Sequence, residues 1–344
     1  MSSNHDALAA TDAGPSLLTD ASADGVGDGL DDDATALDAG DGSTDQAVDS
    51  PPPIQPDGPS VFSFVHAIPD SPALRVCFAV RSGSSFTLLP VAPWPSDAAG
   101  LAYAHAASAS TVPGNVDLGS TDIRPIVLTG DLSQLGTSTC EAMSTPPAGV
   151  QASSLPVIPR GTLTHGRHVI MAAAGCVGGD THQDTAQETI CGDGYLPDHP
   201  TLTLYVASLD RAPSQDFIGL QVFNASLATP LSQVDHVVAD PVTRTTIVSS
   251  LPPGAVAPSP PNYALTPGQL GGSGSANRLE LFDSGMQQAS STVMVADAMA
   301  RGGLASQDVV AGRNFTVVLV GPRAGTPDGA WWNGFTMTLL PSDP

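Results

Sequence analysis

From Val61 onward the chain is written in short apolar runs separated by clusters of Gly, Pro, Asp and Ser, the pattern of β-strands joined by turns. In Leu74-Arg-Val-Cys-Phe-Ala-Val80 the apolar Leu74, Val76, Phe78 and Val80 fall on one face and Arg75, Cys77 and Arg81 on the other, which predicts a half-buried strand with Cys77 on its outer side. The longest apolar runs, such as Phe315-Thr-Val-Val-Leu-Val320, have strand length and fall far short of the roughly 18 residues that span a bilayer. No transmembrane segment is predicted.

Three segments recur in the same order. Val65-His-Ala-Ile-Pro-Asp-Ser-Pro-Ala-Leu-Arg-Val76 resembles Val222-Phe-Asn-Ala-Ser-Leu-Ala-Thr-Pro-Leu-Ser-Gln-Val234; Gly166-Arg-His-Val-Ile-Met-Ala-Ala-Ala-Gly175 resembles Gly312-Arg-Asn-Phe-Thr-Val-Val-Leu-Val-Gly321; Leu202-Thr-Leu-Tyr-Val-Ala-Ser-Leu-Asp210 resembles Phe335-Thr-Met-Thr-Leu-Leu-Pro-Ser-Asp343. Each module then opens with a strand, runs through loops and closes with a Gly-Arg strand paired to a final strand. The expected fold is all-β: two tandem sandwiches, immunoglobulin- or transthyretin-like, over residues 60–211 and 212–344, with the boundary near Ala212-Pro-Ser-Gln215.

Residues 1–59 carry thirteen aspartates and no Glu, Lys or Arg, and end in Pro51-Pro-Pro-Ile-Gln-Pro. Too little apolar surface is available there to offset ordering entropy, so a disordered, self-repelling tether is expected, stiffening toward polyproline II. Asp24-Gly-Val-Gly-Asp-Gly-Leu-Asp-Asp-Asp33 lacks the ligand alternation and closing Glu of a calcium loop and reads as spacer. Over the whole chain the net charge is −23, with 11 basic residues, all arginine. That balance argues against nucleic acid and anionic lipid surfaces as partners. Aromatics at 5% and abundant Gly (35) and Pro (32) suit turn-rich β modules rather than long helices. The N-terminus, Met1-Ser-Ser-Asn-His-Asp, has neither a basic nor an apolar leader region, so no signal is visible in the sequence.

Cys176 and Cys191 bracket a Gly/Asp/Thr-rich loop, where a bond closing about 15 residues would contribute around 3 kcal/mol on the chain-entropy account. By elimination the other pair is Cys77 with Cys140, one of three connectivities that four cysteines allow. Paired cysteines favour an oxidising compartment.

The opening string of the first module is similar to that of the bacterial domain-of-unknown-function family 4397, in which Val-His-Ala-Ser-Pro-Asp-Ala-Pro-Ala-Val-Asp-Val begins an exported β-sandwich. His66, Ala67, Pro69, Asp70, Pro72, Ala73 and Val76 match, and Phe315-Thr-Val-Val-Leu-Val-Gly321 resembles a later strand of that family. Cys77 and Asn224-Ala-Ser-Leu depart from the pattern. The resemblance implies an exported sandwich, with no reaction to carry over. It also implies a cell-envelope or extracellular location with an outer-membrane lipid tether, whose leader would lie upstream of the start given.

Candidate chemistry is sparse. His66 and Asp70 flank a Pro-Asp-Ser-Pro turn, where the carboxylate can cap backbone amides and the imidazole can bond across the turn. Loop 176–200 holds Asp180, His182, Asp184, Glu188 and Asp193, with Asp198 and His199 beyond, donors suited to calcium or zinc but at no defined ligand spacing. Leu281-Phe-Asp-Ser-Gly285 resembles the active-site strand of aspartic proteases but occurs once, and that chemistry needs two carboxylates. Gly272-Ser-Gly-Ser-Ala leads into no helix and reads as a loop. The sequons at Asn224 and Asn314 carry no weight in a chain of bacterial origin, which the resemblance implies. Trp331 and Trp332, adjacent before the last strand, should point to opposite faces, one into the core and one outward as a stacking surface for a sugar or protein.

The sequence therefore points to a non-catalytic interaction or structural protein of the cell envelope, with an unidentified protein or glycan partner and no required cofactor. The first rival is a calcium- or zinc-binding protein using loop 176–200. The second is a hydrolase whose residues are brought together only in space.

Overall fold

Alternating apolar positions become strands, and among the described residues the strands pair into four sheets. The computed structural model describes residues 61–342 apart from 111–112, 115–118, 163–166, 180–181, 183–186, 193, 212–213, 228–232, 240, 272–275 and 284–285. The segment expected to be a tether, residues 1–59, lies outside the described residues, as do Ala212 and Pro213 of the expected boundary.

The first nine strands are β1 (Val61–Ala67), β2 (Ala73–Ser82), β3 (Ser85–Leu88), β4 (Leu101–Ala102), β5 (Ala106–Ala109), β6 (Ile123–Gly130), β7 (Val150–Ser154), β8 (His168–Ala174) and β9 (Thr203–Leu209). They form an inner sheet of order β5-β1-β8-β9 and an outer sheet of order β3-β2-β6-β7, with β4 pairing β2. The next eight are β10 (Ile218–Ser226), β11 (Gln233–Ala239), β12 (Val242–Val248), β13 (Val256–Leu265), β14 (Arg278–Phe282), β15 (Ser291–Met294), β16 (Asn314–Gly321) and β17 (Thr336–Pro341). Their sheets have the order β13-β10-β16-β17 and β12-β11-β14-β15. In both inner sheets the central pair, β1 with β8 and β10 with β16, is parallel, and the flanking pairs are antiparallel. Among the described residues three short α-helices, α1 (Gln187–Cys191), α2 (Pro267–Gly271) and α3 (Val295–Arg301), leave the fold all-β. None of the described helices is long and apolar enough to cross a membrane.

Side-chain alternation turns these sheets into a four-layer stack. Phe62, Phe64, Val169 and Met171 of the first inner sheet meet Leu74, Val76, Phe78 and Val127 of its outer sheet. Leu220, Val222, Phe315 and Val317 meet Val234, Leu279 and Leu281 in the second. The opposite faces of the inner sheets meet each other, Val65, Ile170, Ala172 and Ala174 packing on Phe223, Ala225, Val318 and Val320. Strands β1, β8, β10 and β16 are therefore buried on both faces, which explains their near-continuous apolar sequences. Each fully buried Val, Leu, Ile or Phe contributes about 1.5–3 kcal/mol of transfer free energy.

The outer face of β2 corrects the half-buried expectation. Two 3₁₀ turns, Leu132–Leu135 and Cys140–Ser144, fold over it and enclose Cys77, Leu128, Leu132, Leu135, Cys140, Met143 and Val150 in a second small core. Arg75 is buried too, its guanidinium donating to the carbonyls of Ser96 and Asp97. Cys77 is bonded to Cys140 and Cys176 to Cys191, which leaves no free cysteine among the described residues.

Candidate functional site

The loops that leave the C-terminal ends of the parallel strands meet at one end of the stack. The chain leaves β1 through His66-Ala-Ile-Pro-Asp70. His66 Nδ1 accepts the Ile68 amide at 3.2 Å, closing the turn two residues on, while its ring sits edge-on to Tyr103 at 5.8 Å. Burial pulls the His66 pKa down to about 3, against a smaller opposing effect of the Ser71 backbone. The imidazole is therefore neutral at physiological pH.

Asp70 caps backbone amides, as its place beside the turn predicts, but not those of its neighbours in sequence. Instead its carboxylate reaches across to the loop after β8, Oδ1 accepting the Val177 amide at 3.0 Å and Oδ2 the Gly178 amide at 2.9 Å. Longer range was invisible in the local motif, because these amides lie 107 and 108 residues away. Gly178 fits this role because its φ is +84° and a Cβ there would lie 2.6 Å from the Pro197 carbonyl. The Asp70 side chain is fully buried, and His182 Nδ1 lies 3.2 Å from Oδ2 without forming a hydrogen bond.

The Cys176–Cys191 bond and α1 hold the far side of this loop. Ile190, Tyr195 and the two cysteines form a buried knot on which Trp331 and Trp332 of the β16–β17 loop pack. Trp331 stacks on His182, centroids 4.6 Å apart at 13°, and meets Trp332 edge-on at 4.8 Å. This corrects the opposite-faces expectation: both indoles are half-buried on one knot. Trp332 Nε1 donates to the Pro327 carbonyl, and Gly329 lies so close to the ring that a Cβ there would be 2.1 Å from Cε2. The second sandwich is tied to the first nearby, through Asn333 N and Nδ2 donating to the Pro69 carbonyl (2.8 and 2.9 Å) and Tyr103 Oη donating to the Gly334 carbonyl (2.7 Å).

Three buried polar atoms in this cluster have no hydrogen-bond partner among the described residues: Tyr195 Oη, Trp331 Nε1 and His182 Nδ1. Such groups ordinarily carry a cost of about 1–3 kcal/mol each. Burial, and secondarily the Asp70 charge, push the Tyr195 hydroxyl up to about 12, so it stays a donor. A hydroxyl beside the Asp70 carboxylate and an indole N–H in the same cluster are groups that can hydrogen-bond a polar ligand.

Among the loop residues expected as metal donors, Asp180, Asp184 and Asp193 lie outside the described residues, Glu188 is exposed on α1, and Asp198 and His199 form an exposed pair 3.8 Å apart. Among the described residues no three His, Cys, Asp or Glu side chains gather to hold an ion. A Ser–His contact that no motif announced joins Ser63 Oγ to His168 Nε2 at 2.8 Å, with His168 Nδ1 2.8 Å from the Ser342 carbonyl. Both side chains are buried between the inner sheets, and Ser63 also bonds Ser108, so the pair is a packed polar seam. Asn224 and Asn314 of the two sequons are buried as well. Sequence reasoning missed Tyr195 and Asn333, whose side chain bonds the Pro69 carbonyl 264 positions away.

No protein-family profile matches the chain, and no curated protein matches it. Among solved structures, a candidate cell adhesion protein from Parabacteroides distasonis ATCC 8503 is 11% identical, over 83% of this chain and 97% of that one, with a TM-score of 0.18, a likeness too slight to carry an argument.

Proposed function

We propose that the protein is a non-catalytic recognition module of the cell envelope or cell surface, built from two divergent copies of a sandwich similar to domain-of-unknown-function family 4397. Its contact region is the loop cluster of Asp70, His182, Tyr195, Trp331 and Trp332. The observation that carries this reading is that Tyr195 Oη and Trp331 Nε1 are buried donors with no partner among the described residues, held in one disulfide-bonded knot. Donors left unpaired at a cost to stability are what a recognition site holds ready for a ligand. Two disulfides support an oxidising, extracytoplasmic location, and the Asp-rich segment 1–59 suits a solvated tether.

Tyr195→Phe tests it, because that change deletes the unpaired hydroxyl and little else. The variant is expected to melt at a higher temperature than the wild type and to lose binding on an array of cell-surface glycans and envelope proteins. A variant that is more stable and binds the same array features as strongly as the wild type removes the cluster from recognition.

A further inference from the structure

The opposite end of the stack, where β1, β8, β10 and β16 begin, concentrates positive charge in an acidic protein. Of the eleven arginines, Arg81, Arg124, Arg160, Arg167, Arg211 and Arg313 lie there, with Arg278 at the start of β14 already paired to Glu280. Arg81 ends β2 and Arg124 opens β6, and their guanidinium carbons sit over the same Phe86 ring at 4.8 and 4.2 Å. Asp122 joins Arg81, its Oδ2 2.6 Å from Nε, to the Arg160 amide, which donates to Oδ1 at 2.9 Å. The Arg167 carbonyl accepts the Val61 amide and the Arg313 carbonyl the Gly219 amide, which places both arginines at the starts of the parallel pairs. Arg211 follows β9, close enough for its charge to act on His168. Among the described residues the acidic side chains of this end include Asp122, Asp210, Asp216, Asp297 and Asp308. Arg160 and Arg167 are exposed, as is 42% of the Arg81 side chain. Phe217 (41% exposed) and Val310 (45%) share this end, since Gly312 N bonds the Phe217 carbonyl and Arg313 N the Val310 carbonyl.

We infer that this arginine-rich end docks an anionic polysaccharide. The cations are spread over strand ends of both sandwiches rather than converging on one point, which fits charges repeated along a chain. Guanidinium forks pair bidentately with carboxylate and sulfate groups. Between them lie hydroxyl- and glycine-bearing turns, Ser120, Thr121, Gly161, Thr162 and Ser214, suited to sugar hydroxyls. An acidic polypeptide would want a free strand edge or an apolar groove, and this end presents turns. A membrane or a nucleic-acid duplex is a broad anionic surface that a protein of net charge −23 repels, whereas a thin, flexible chain can contact the arginines alone. The inference rests on the reading of the protein as a recognition module and assigns it a second, chemically distinct surface.

The test is biolayer interferometry of the full chain against polygalacturonate and dextran sulfate, with neutral dextran, polyglutamate and a single-stranded oligonucleotide alongside. Binding to the two acidic polysaccharides is expected, falling by about tenfold or more between about 50 and about 300 mM salt. Arg124→Gln with Arg160→Gln and Arg167→Gln should weaken it by about tenfold at unchanged melting temperature. Should loss of the Arg124 contact to Phe86 unfold that variant, Arg160→Gln with Arg167→Gln, both exposed, should still weaken binding severalfold. Absence of polysaccharide binding, equal or tighter binding of polyglutamate or the oligonucleotide, or variants that bind like the wild type each overturn the inference. Tyr195→Phe should leave polysaccharide binding intact. If array binding that depends on Tyr195 persists while the polysaccharides fail to bind, the recognition reading stands and this inference alone falls.

Discussion

At the level of single residues, the two sandwiches solve the same problem with different side chains. His66 and Asn224 hold the same place in their parallel pairs, since Val61 is opposite His168 where Gly219 is opposite Asn314. Each accepts the amide two residues on, Ile68 N to His66 Nδ1 at 3.2 Å and Ser226 N to Asn224 Oδ1 at 3.0 Å. The histidine of the first module is thus a turn-closing acceptor that a carboxamide can replace. His66→Ala should cost about 1 kcal/mol in urea unfolding and His66→Asn clearly less; equal losses would mean that the imidazole has another task. Two residues past the aligned Val76 and Val234 stand Phe78 and His236, both fully buried. Among the described residues both ring nitrogens of His236 lack partners, a polar ring where the first sandwich has an apolar one. His236→Phe is expected to raise stability by about 1–2 kcal/mol at neutral pH. A loss of stability would show that the pocket is too small for the phenyl ring or that the imidazole is used.

At the level of elements, the outer sheets differ in what seals them. Cys77 and its disulfide occupy the outer face of β2, whereas the aligned Asp235 on β11 is fully buried beneath Arg244, which bonds Asp235 Oδ2 and Glu280 Oε2, each at 2.7 Å. Arg278 completes that network at Glu280, and Arg244 also covers the Phe282 ring. The Cys77–Cys140 bond closes 63 residues and Cys176–Cys191 closes 15. On the chain-entropy account these are worth about 4 and about 3 kcal/mol. Replacing the first pair by alanine should therefore lower the melting temperature more than replacing the second; the reverse order would show that the Trp331 knot depends on its disulfide for more than chain entropy. Much of this architecture was legible in the sequence. The three recurring segments lie on β1–β2 and β10–β11, on β8 and β16, and on β9 and β17, because strands buried on both faces carry long apolar strings that stand out. The covering of β2 was not legible, since the 3₁₀ turns that seal it come from a Ser/Thr-rich stretch with no apolar period. Nor was the loop cluster, whose contacts join residues such as Pro69 and Asn333 that are 264 positions apart.

At the level of the whole molecule, buried neutral histidines make the fold sensitive to acid. Burial holds His66 at about 3 and His168 and His236 at about 4, all below the ordinary 6.5; the Ser342 carbonyl bond opposes the shift at His168, and Arg211 adds to it. Below pH 6.5 the unfolded chain takes up protons at these three sites while the folded chain does not, so the folded state loses free energy as pH falls. The stabilisation is complete above pH 6.5 and is gone once pH has dropped through about 4 and then about 3. Through most of that window each site contributes a slope of about 1.4 kcal/mol per pH unit, against a typical total stability of about 5–15 kcal/mol. Protonation of carboxylates relieves the self-repulsion of a chain of net charge −23 and works the other way, but it sets in near pH 4, below most of the histidine window. Urea midpoints should therefore fall steeply between about pH 6.5 and 4.5. His236→Phe should fall less steeply, by about one proton's worth of slope, because it removes one of the three sites. Stability that stays level from pH 7 to 4.5 would mean that these rings are hydrated in solution, and a His236→Phe slope equal to the wild type's would exclude His236 from the acid response while leaving His66 and His168 to account for it.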